Sequence, residues 1–425
     1  MEIQFSGAAR EVGRSGILLD TGKSKILLDY GIKLGEEGGP LRPLPVHGFL
    51  DAVVLSHGHL DHSGAIPYLF YSSEPNIYTH PSTVPLIDIL LRDSMKIARS
   101  KNLDVYGSSN VKRMLRNVKE VNYNQKHQIT PDIQLKSTDA GHILGSSITH
   151  LQADDKKIIY TGDYKDENTR LHKGADAPKD ADVLIIEATY GSKEHPNRQE
   201  LEKEFVESIK AVVEAGGSVV VPAFAVGRSQ EMIQLLYSSK IPVPVYLDGM
   251  GRTVSEIYLE YPDLLRDYDE FYKAMKWANW ITDYKQREQV FNEPSVIVTT
   301  AGMLSGGPVM NYLPELRTLN NAALFFTGFQ VPGTPGREML DTKRMDLAGV
   351  KVDFSNVDVK YFDFSAHCDK HGIQKFVKSC DPKLVLVQHG EPEQCEEVVD
   401  WVESEIGCFA FAPKLREKFK VEDFV

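Results

Sequence analysis

The sequence predicts an α/β protein of two domains, one inserted into the other, and three observations carry that prediction. The chain has 425 residues, beyond the length at which a single hydrophobic core usually stops growing. Its first 190 residues read as short strands broken by glycine turns, whereas strands and helices alternate from about residue 197. After residue 351 short strands leading into histidine-bearing loops return, so the alternating block reads as an insert.

The elements follow in order. Segments 2–6, 15–20 and 25–29 are expected strands, separated by turns such as Thr21-Gly22-Lys23. Segment 51–56 (DAVVLS) is an apolar strand running straight into a histidine-rich loop, and a helical segment follows at 65–71. Further strands are expected at 134–137, 147–152, 157–161 and 183–187. Then come a helix at about 197–215, a strand at 218–221, a helix at about 229–238 and a strand at 243–247. With strands at 295–299 and 323–327, this alternation implies a parallel sheet. The charged, aromatic stretch 256–285 is expected to be helical cover, and strands at 358–363 and 383–388 are expected to rejoin the first domain.

Composition narrows the class. With 42% hydrophobic and 25% charged residues and dispersed Gly and Pro, the chain is an ordinary globular protein rather than a disordered one. Met1-Glu2-Ile3-Gln4-Phe5 has no basic region leading into an apolar core, and no apolar run approaches the ~20 residues a membrane helix needs. A cytoplasmic protein without a membrane partner is expected. The net charge of −12 excludes a generally basic surface, so any nucleic-acid site must be local. Cys368, Cys380, Cys395 and Cys408 show no CxxC pairing and read as reduced, packing thiols.

The loop His57-Gly-His59-Leu-Asp61-His62 carries the chemistry. Imidazoles and carboxylates are N and O donors suited to Zn²⁺ or a similar ion, and His57 with His59 can reach one ion while Asp61 and His62 face a second. A lone histidine is usually a hydrogen-bonded surface or core residue, but four ligand-type residues within six positions have no comparable structural use. Completing a two-ion site requires ligands from elsewhere, and Asp29, His142, Asp163 and His389 are candidates at strand ends. Glu187 ends the apolar run Leu184-Ile185-Ile186 and would be poorly solvated without a partner.

The order Asp29, HGHLDH, His142, Asp163 resembles the metallo-β-lactamase fold, an αββα sandwich. The segments LIIEATYG (184–191), VPAFAVGRSQE (221–231), FSAHCD (364–369) and QHGE (388–391) resemble the β-CASP nucleases of that superfamily, especially archaeal relatives of the cleavage and polyadenylation specificity factor nuclease and of RNase J. The resemblance implies a metallo-β-lactamase domain at 1–192 and 353–425 around a β-CASP domain at 193–352. It implies two Zn²⁺ per chain, with His57, His59 and His142 on one ion, Asp61, His62 and His389 on the other, and Asp163 bridging them. Asp29 and Glu187 would orient ligands and the acid histidine, His367.

The reaction so implied is hydrolysis of an RNA phosphodiester by hydroxide activated between the ions, with Asp61, Glu187 and His367 in the catalytic set. Products would carry 5′-phosphate and 3′-hydroxyl ends, from 5′→3′ exonuclease or endonuclease action. In this family a histidine at the position of His389 accompanies RNA and a valine accompanies DNA. Arg228, Gly333 in the loop GFQVPGTPGR and Ser365 are the expected phosphate contacts. The core strands begin at residue 2, so RNA affinity is expected from the core rather than from preceding KH-type domains. A homo-oligomer is compatible with this reading. A DNA nuclease, a small-molecule metallohydrolase and a noncatalytic scaffold are the competing readings.

Overall fold

The computed structural model describes residues 1–33, 39–347 and 349–425. The chain divides into two compact units, Met1–Glu194 with Ala366–Val425, and His195–Ser365.

The first unit contains two seven-stranded sheets. In chain order their site-forming strands are Lys25–Leu28 and Ala52–Val54 in one sheet, and Ile133–Asp139, Ser147–Ala153, Lys156–Tyr160, Val183–Glu187 and Leu384–Gln388 in the other. Alternation of side chains across a strand explains the layering. Ile26, Leu28, Ala52 and Val54 meet Ile158, Tyr160, Val183 and Ile185 in a common core between the sheets. Their neighbours Leu27 and Val53 turn outward beneath helices that include Thr83–Ser100 and Ser108–Arg116. Leu184, Ile186, Val385 and Val387 turn outward beneath Lys370–Cys380 and Pro392–Trp401. Burial on both faces is why VLIIE and LVLVQ are continuous apolar runs. The result is an αββα sandwich.

The second unit holds a six-stranded, wholly parallel sheet in the order Asn279–Trp280, Val245–Asp248, Val296–Thr299, Val219–Pro222, Ala323–Phe326, Asp358–Tyr361. Two expectations shift here. The strand expected at 358–363 to rejoin the first domain instead pairs with Ala323–Phe326, Phe326 opposite Tyr361, so the chain re-enters the first unit at Ala366 rather than near 353. A short, half-exposed strand is equally at home at the margin of either sheet, and pairing decides. The expected helical cover at 256–285 is interrupted by the short edge strand Asn279–Trp280. Among the described residues no helix is long and apolar enough to cross a membrane.

Candidate metal centre

The ligand-type residues sit where buried strands end. His57 follows Ala52–Val54, Asp163 follows Lys156–Tyr160, His389 follows Leu384–Gln388, and His142 lies in the turn joining Ile133–Asp139 to Ser147–Ala153. Asp61 and His62 ride on the single helical turn Leu60–Ser63. That turn packs so closely on the loop after Asp29 that a Cβ at Gly31 would lie 1.7 Å from the Asp61 carbonyl oxygen. Two residues are held in the left-handed region, Asp29 at φ 57° and His389 at φ 52°. Such conformations cost ~1–3 kcal/mol each and persist only where surrounding bonds impose them. The Asp29 N–H donates to Val54 and the His389 N–H to Ala8.

Two groups result, each with its ligand atoms within 4.8 Å of one another: His57, His59, His142 and Asp163, and Asp61, His62, Asp163 and His389. In the first, His57 Nε2 and His142 Nε2 lie 3.2 and 3.1 Å from His59 Nδ1. Asp163 Oδ2 is 3.6 and 3.8 Å from the same two Nε2 atoms. In the second, Asp163 Oδ2 is 3.3 Å from His62 Nε2, and His389 Nε2 is 3.4 Å from Asp61 Oδ2. Asp163 therefore belongs to both.

The electrostatics suit cations. Burial pushes the His57 and His142 rings well below the usual imidazole range, leaving them neutral, the form that ligates a metal. His62 is buried too, yet Asp163, Asp61 and Asp29 hold it well above that range. Asp163 Oδ1 and His389 Nε2 are buried without a hydrogen-bond partner, a costly state that bound cations would relieve. The donor set and these two atoms fit divalent ions of the zinc type.

Beside the groups stands a third constellation, Asp163, Glu187 and His367. His367 Nδ1 lies 3.0 and 2.9 Å from the two Glu187 oxygens. Glu187 also accepts the Tyr164 N–H at 2.9 Å and the Thr189 hydroxyl at 2.5 Å. Burial favours a neutral His367, but the Glu187 and Asp163 carboxylates outweigh it and push the ring up to about 9.

Residues 18–185 match the Metallo-beta-lactamase superfamily domain, 230–339 the Beta-Casp domain, and 356–413 the Zn-dependent metallo-hydrolase RNA specificity domain. Probable RNase MJ4 of Methanocaldococcus jannaschii is 39% identical over 99% of this chain and 100% of its own length. RNase aCSPSF2 of Saccharolobus solfataricus is 34% identical, covering 97% of this chain and 84% of that protein. The chain belongs to the β-CASP metallo-hydrolase ribonuclease family. Transcription termination factor FttA of Pyrococcus abyssi is a further relative, 32% identical over 96% of this chain and 69% of its own. A solved structure of a protein of unknown function from Enterococcus faecalis V583 shares the fold, with TM-score 0.61, 14% identity, and 98% of this chain and 99% of that one covered.

Within this β-CASP chain all seven expected metal ligands fall into the two groups, and Glu187 meets His367. The three expected phosphate contacts belong to the second unit. Arg228 opens the helix Arg228–Ser238, is 8% exposed, and pairs with Glu231. Gly333 has φ 83° in the loop before Pro335–Thr342, a path that suits glycine, and Ser365 is the unit's last residue. All four cysteines are unpaired, and the Cys368 thiol packs against Asp166 at 3.3 Å. Ser56, Tyr160 and Thr189 are site residues that the sequence does not single out, although Ser56 ends DAVVLS and Thr189 lies within LIIEATYG. Thr189 links Glu187 to His389, whose Nδ1 is 3.3 Å from its hydroxyl.

Proposed function

We propose that this chain is a zinc-dependent ribonuclease that hydrolyses RNA phosphodiester bonds to 5′-phosphate and 3′-hydroxyl products, in cytoplasmic RNA processing or decay. The observation that carries the reading is Asp163, shared by two groups of metal-ligand type and facing His367 beside them. His57, His59 and His142 would hold one ion, Asp61, His62 and His389 the other, with Asp163 between them. Divalent ions held there supply positive charge that polarises a phosphoryl oxygen and acidifies water.

The remaining chemistry belongs to the chain. Glu187 accepts the His367 Nδ1 proton, which fixes the ring and leaves Nε2 to carry the proton given to the departing 3′-oxygen. The Glu187 and Asp163 carboxylates push the His367 ring upward, which favours the protonated form that an acid needs before it acts. Thr189, by bonding Glu187 and His389 together, keeps acid and ligand in register. RNA as the substrate is supported by His389 at the position where this family distinguishes RNA from DNA, and by relatives named as RNases.

The test uses zinc-loaded protein and internally labelled RNA bearing 5′-monophosphate, 5′-triphosphate or 5′-hydroxyl. Mononucleotides released only from the 5′-monophosphate substrate would establish 5′→3′ exonuclease action, and internal fragments independent of the 5′ end would establish endonuclease action. RNA bound but uncleaved, or cleavage surviving in Asp163→Ala, would sink the proposal.

A further inference from the structure

One buried carboxylate touches both metal-ligand groups, through a serine that no metal argument calls for. Asp29 is 0% exposed and accepts four hydrogen bonds. Its Oδ1 accepts the Ser56 N–H at 2.7 Å. Its Oδ2 accepts the Ser56 hydroxyl at 2.7 Å, the Tyr160 hydroxyl at 2.6 Å and His62 Nδ1 at 2.7 Å. The Ser56 oxygen also lies 3.0 Å from His57 Nδ1.

Counting protons fixes the direction of every bond. An ionised carboxylate only accepts, and a hydroxyl has one proton to give. Ser56 gives its proton to Asp29, so toward His57 it can only accept, and the His57 Nδ1 must carry hydrogen. His62 Nδ1 must carry hydrogen for the same reason, since it faces Asp29 directly. With Nδ1 so engaged, each ring turns Nε2 toward Asp163, at 3.6 and 3.3 Å, as the atom free to ligate. Tyr160 comes from the opposite sheet and fills the last place on Oδ2. Gly162 packs so closely on Ser56 that a Cβ there would lie 2.7 Å from the Ser56 Cβ.

We infer that Ser56 and Tyr160 are positioning residues: Ser56 extends the hold of Asp29 from His62 to His57, and Tyr160 anchors Asp29 itself, so that one carboxylate sets the tautomer of one imidazole in each group. This rests on the two-ion reading above. It predicts unequal effects of two small deletions. Ser56→Ala removes the acceptor from His57 and also one donor from Asp29 Oδ2, while Tyr160→Phe removes one donor from that oxygen and leaves the His57 acceptor in place.

The experiment is zinc titration of the full chain with metal counted per chain, together with ¹⁵N-histidine spectra that report which ring nitrogen carries hydrogen, recorded with and without zinc. Wild type should bind two ions and show His57 and His62 protonated at Nδ1. Ser56→Ala should weaken the ion on His57 by ~10- to 100-fold, the usual effect of deleting a partner of a ligand, with the His57 signal redistributed and the His62 signal moved no further than in Tyr160→Phe. Tyr160→Phe should weaken both ions together by a smaller factor. Unchanged affinities and an unmoved His57 signal in Ser56→Ala would overturn the relay, as would an unaffected Tyr160→Phe should Ser56→Ala fail to fold. Wild type that binds no zinc would defeat the proposed function instead, and the zinc-free His57 spectra of wild type and Ser56→Ala would still decide the relay.

Discussion

Asp163 in the first unit and Asp248 in the second occupy the same kind of place. Each lies at or just past the end of a buried strand, at 2% and 0% exposure. Their surroundings differ. Asp248 meets the Arg287 guanidinium through two bonds of 2.7 and 3.0 Å, the Tyr312 hydroxyl at 2.6 Å and the Gly249 N–H at 2.6 Å. Its charge is neutralised by a cation that never leaves. Asp163 faces imidazoles, which can give up their protons, and one of its oxygens accepts no hydrogen bond. Burial at a strand end thus does not mark a reactive site. What separates the two carboxylates is whether the chain itself closes the network or leaves it to be closed by something bound.

The largest effect expected from breaking this contrast is on Asp163. Asp163→Ala should abolish cleavage and release zinc. Zinc content and cleavage that survive the change would mean Asp163 is a structural carboxylate like Asp248. His367→Ala comes next. It should lower kcat by ~10²- to 10⁴-fold, the range for loss of a general acid, with both ions retained by metal analysis. An equal loss of zinc would make His367 a ligand instead.

On the other side of the comparison, Arg287→Ala strands the fully buried Asp248 without its cation. Breaking a buried pair from one side costs ~3–5 kcal/mol, so denaturant unfolding of the second unit should shift to much lower concentration. Zinc content should not change. Tyr312→Phe, which removes only a neutral donor to the same carboxylate, should cost about 1 kcal/mol. Comparable losses from the two would show that charge pairing contributes little there.

Much of this contrast was legible in the sequence because metal ligation needs particular residue types. The HGHLDH loop, Asp163 and His389 could be read as one site since few other uses gather His and Asp at strand ends. The strands VLIIE and LVLVQ were legible for a different reason, their burial on both faces. Hydroxyl partners were not. Serine, threonine and tyrosine occur everywhere, and only three-dimensional proximity turns Ser56, Tyr160 and Thr189 into neighbours of Asp29 and Glu187. The short strands Phe409–Phe411 and Lys418–Lys420 escaped for lack of length, since three residues carry almost no periodic signal. Segment 358–363 was assigned to the first domain because local pattern identifies a strand but not the strand it pairs with.

The smallest effect concerns histidines that burial keeps neutral away from both networks. His150 lies in the strand Ser147–Ala153, with Nε2 3.0 Å from the Thr138 hydroxyl, and burial with Lys136 nearby pushes its ring down to about 4. A histidine whose folded value lies below its unfolded value of about 6.5 supports the fold above that pH and withdraws support as pH falls toward 4. His150→Gln keeps a polar side chain of similar reach without a titrating ring. The stability difference between wild type and this variant, followed by urea unfolding, should therefore be level above pH 7 and move against wild type by roughly 2 kcal/mol between pH 6.5 and 4. A difference that stays flat through that window would mean His150 takes up its proton in the folded chain as readily as in the unfolded one. Acid lability would then have to be sought among groups such as His80, which burial likewise holds down to about 4.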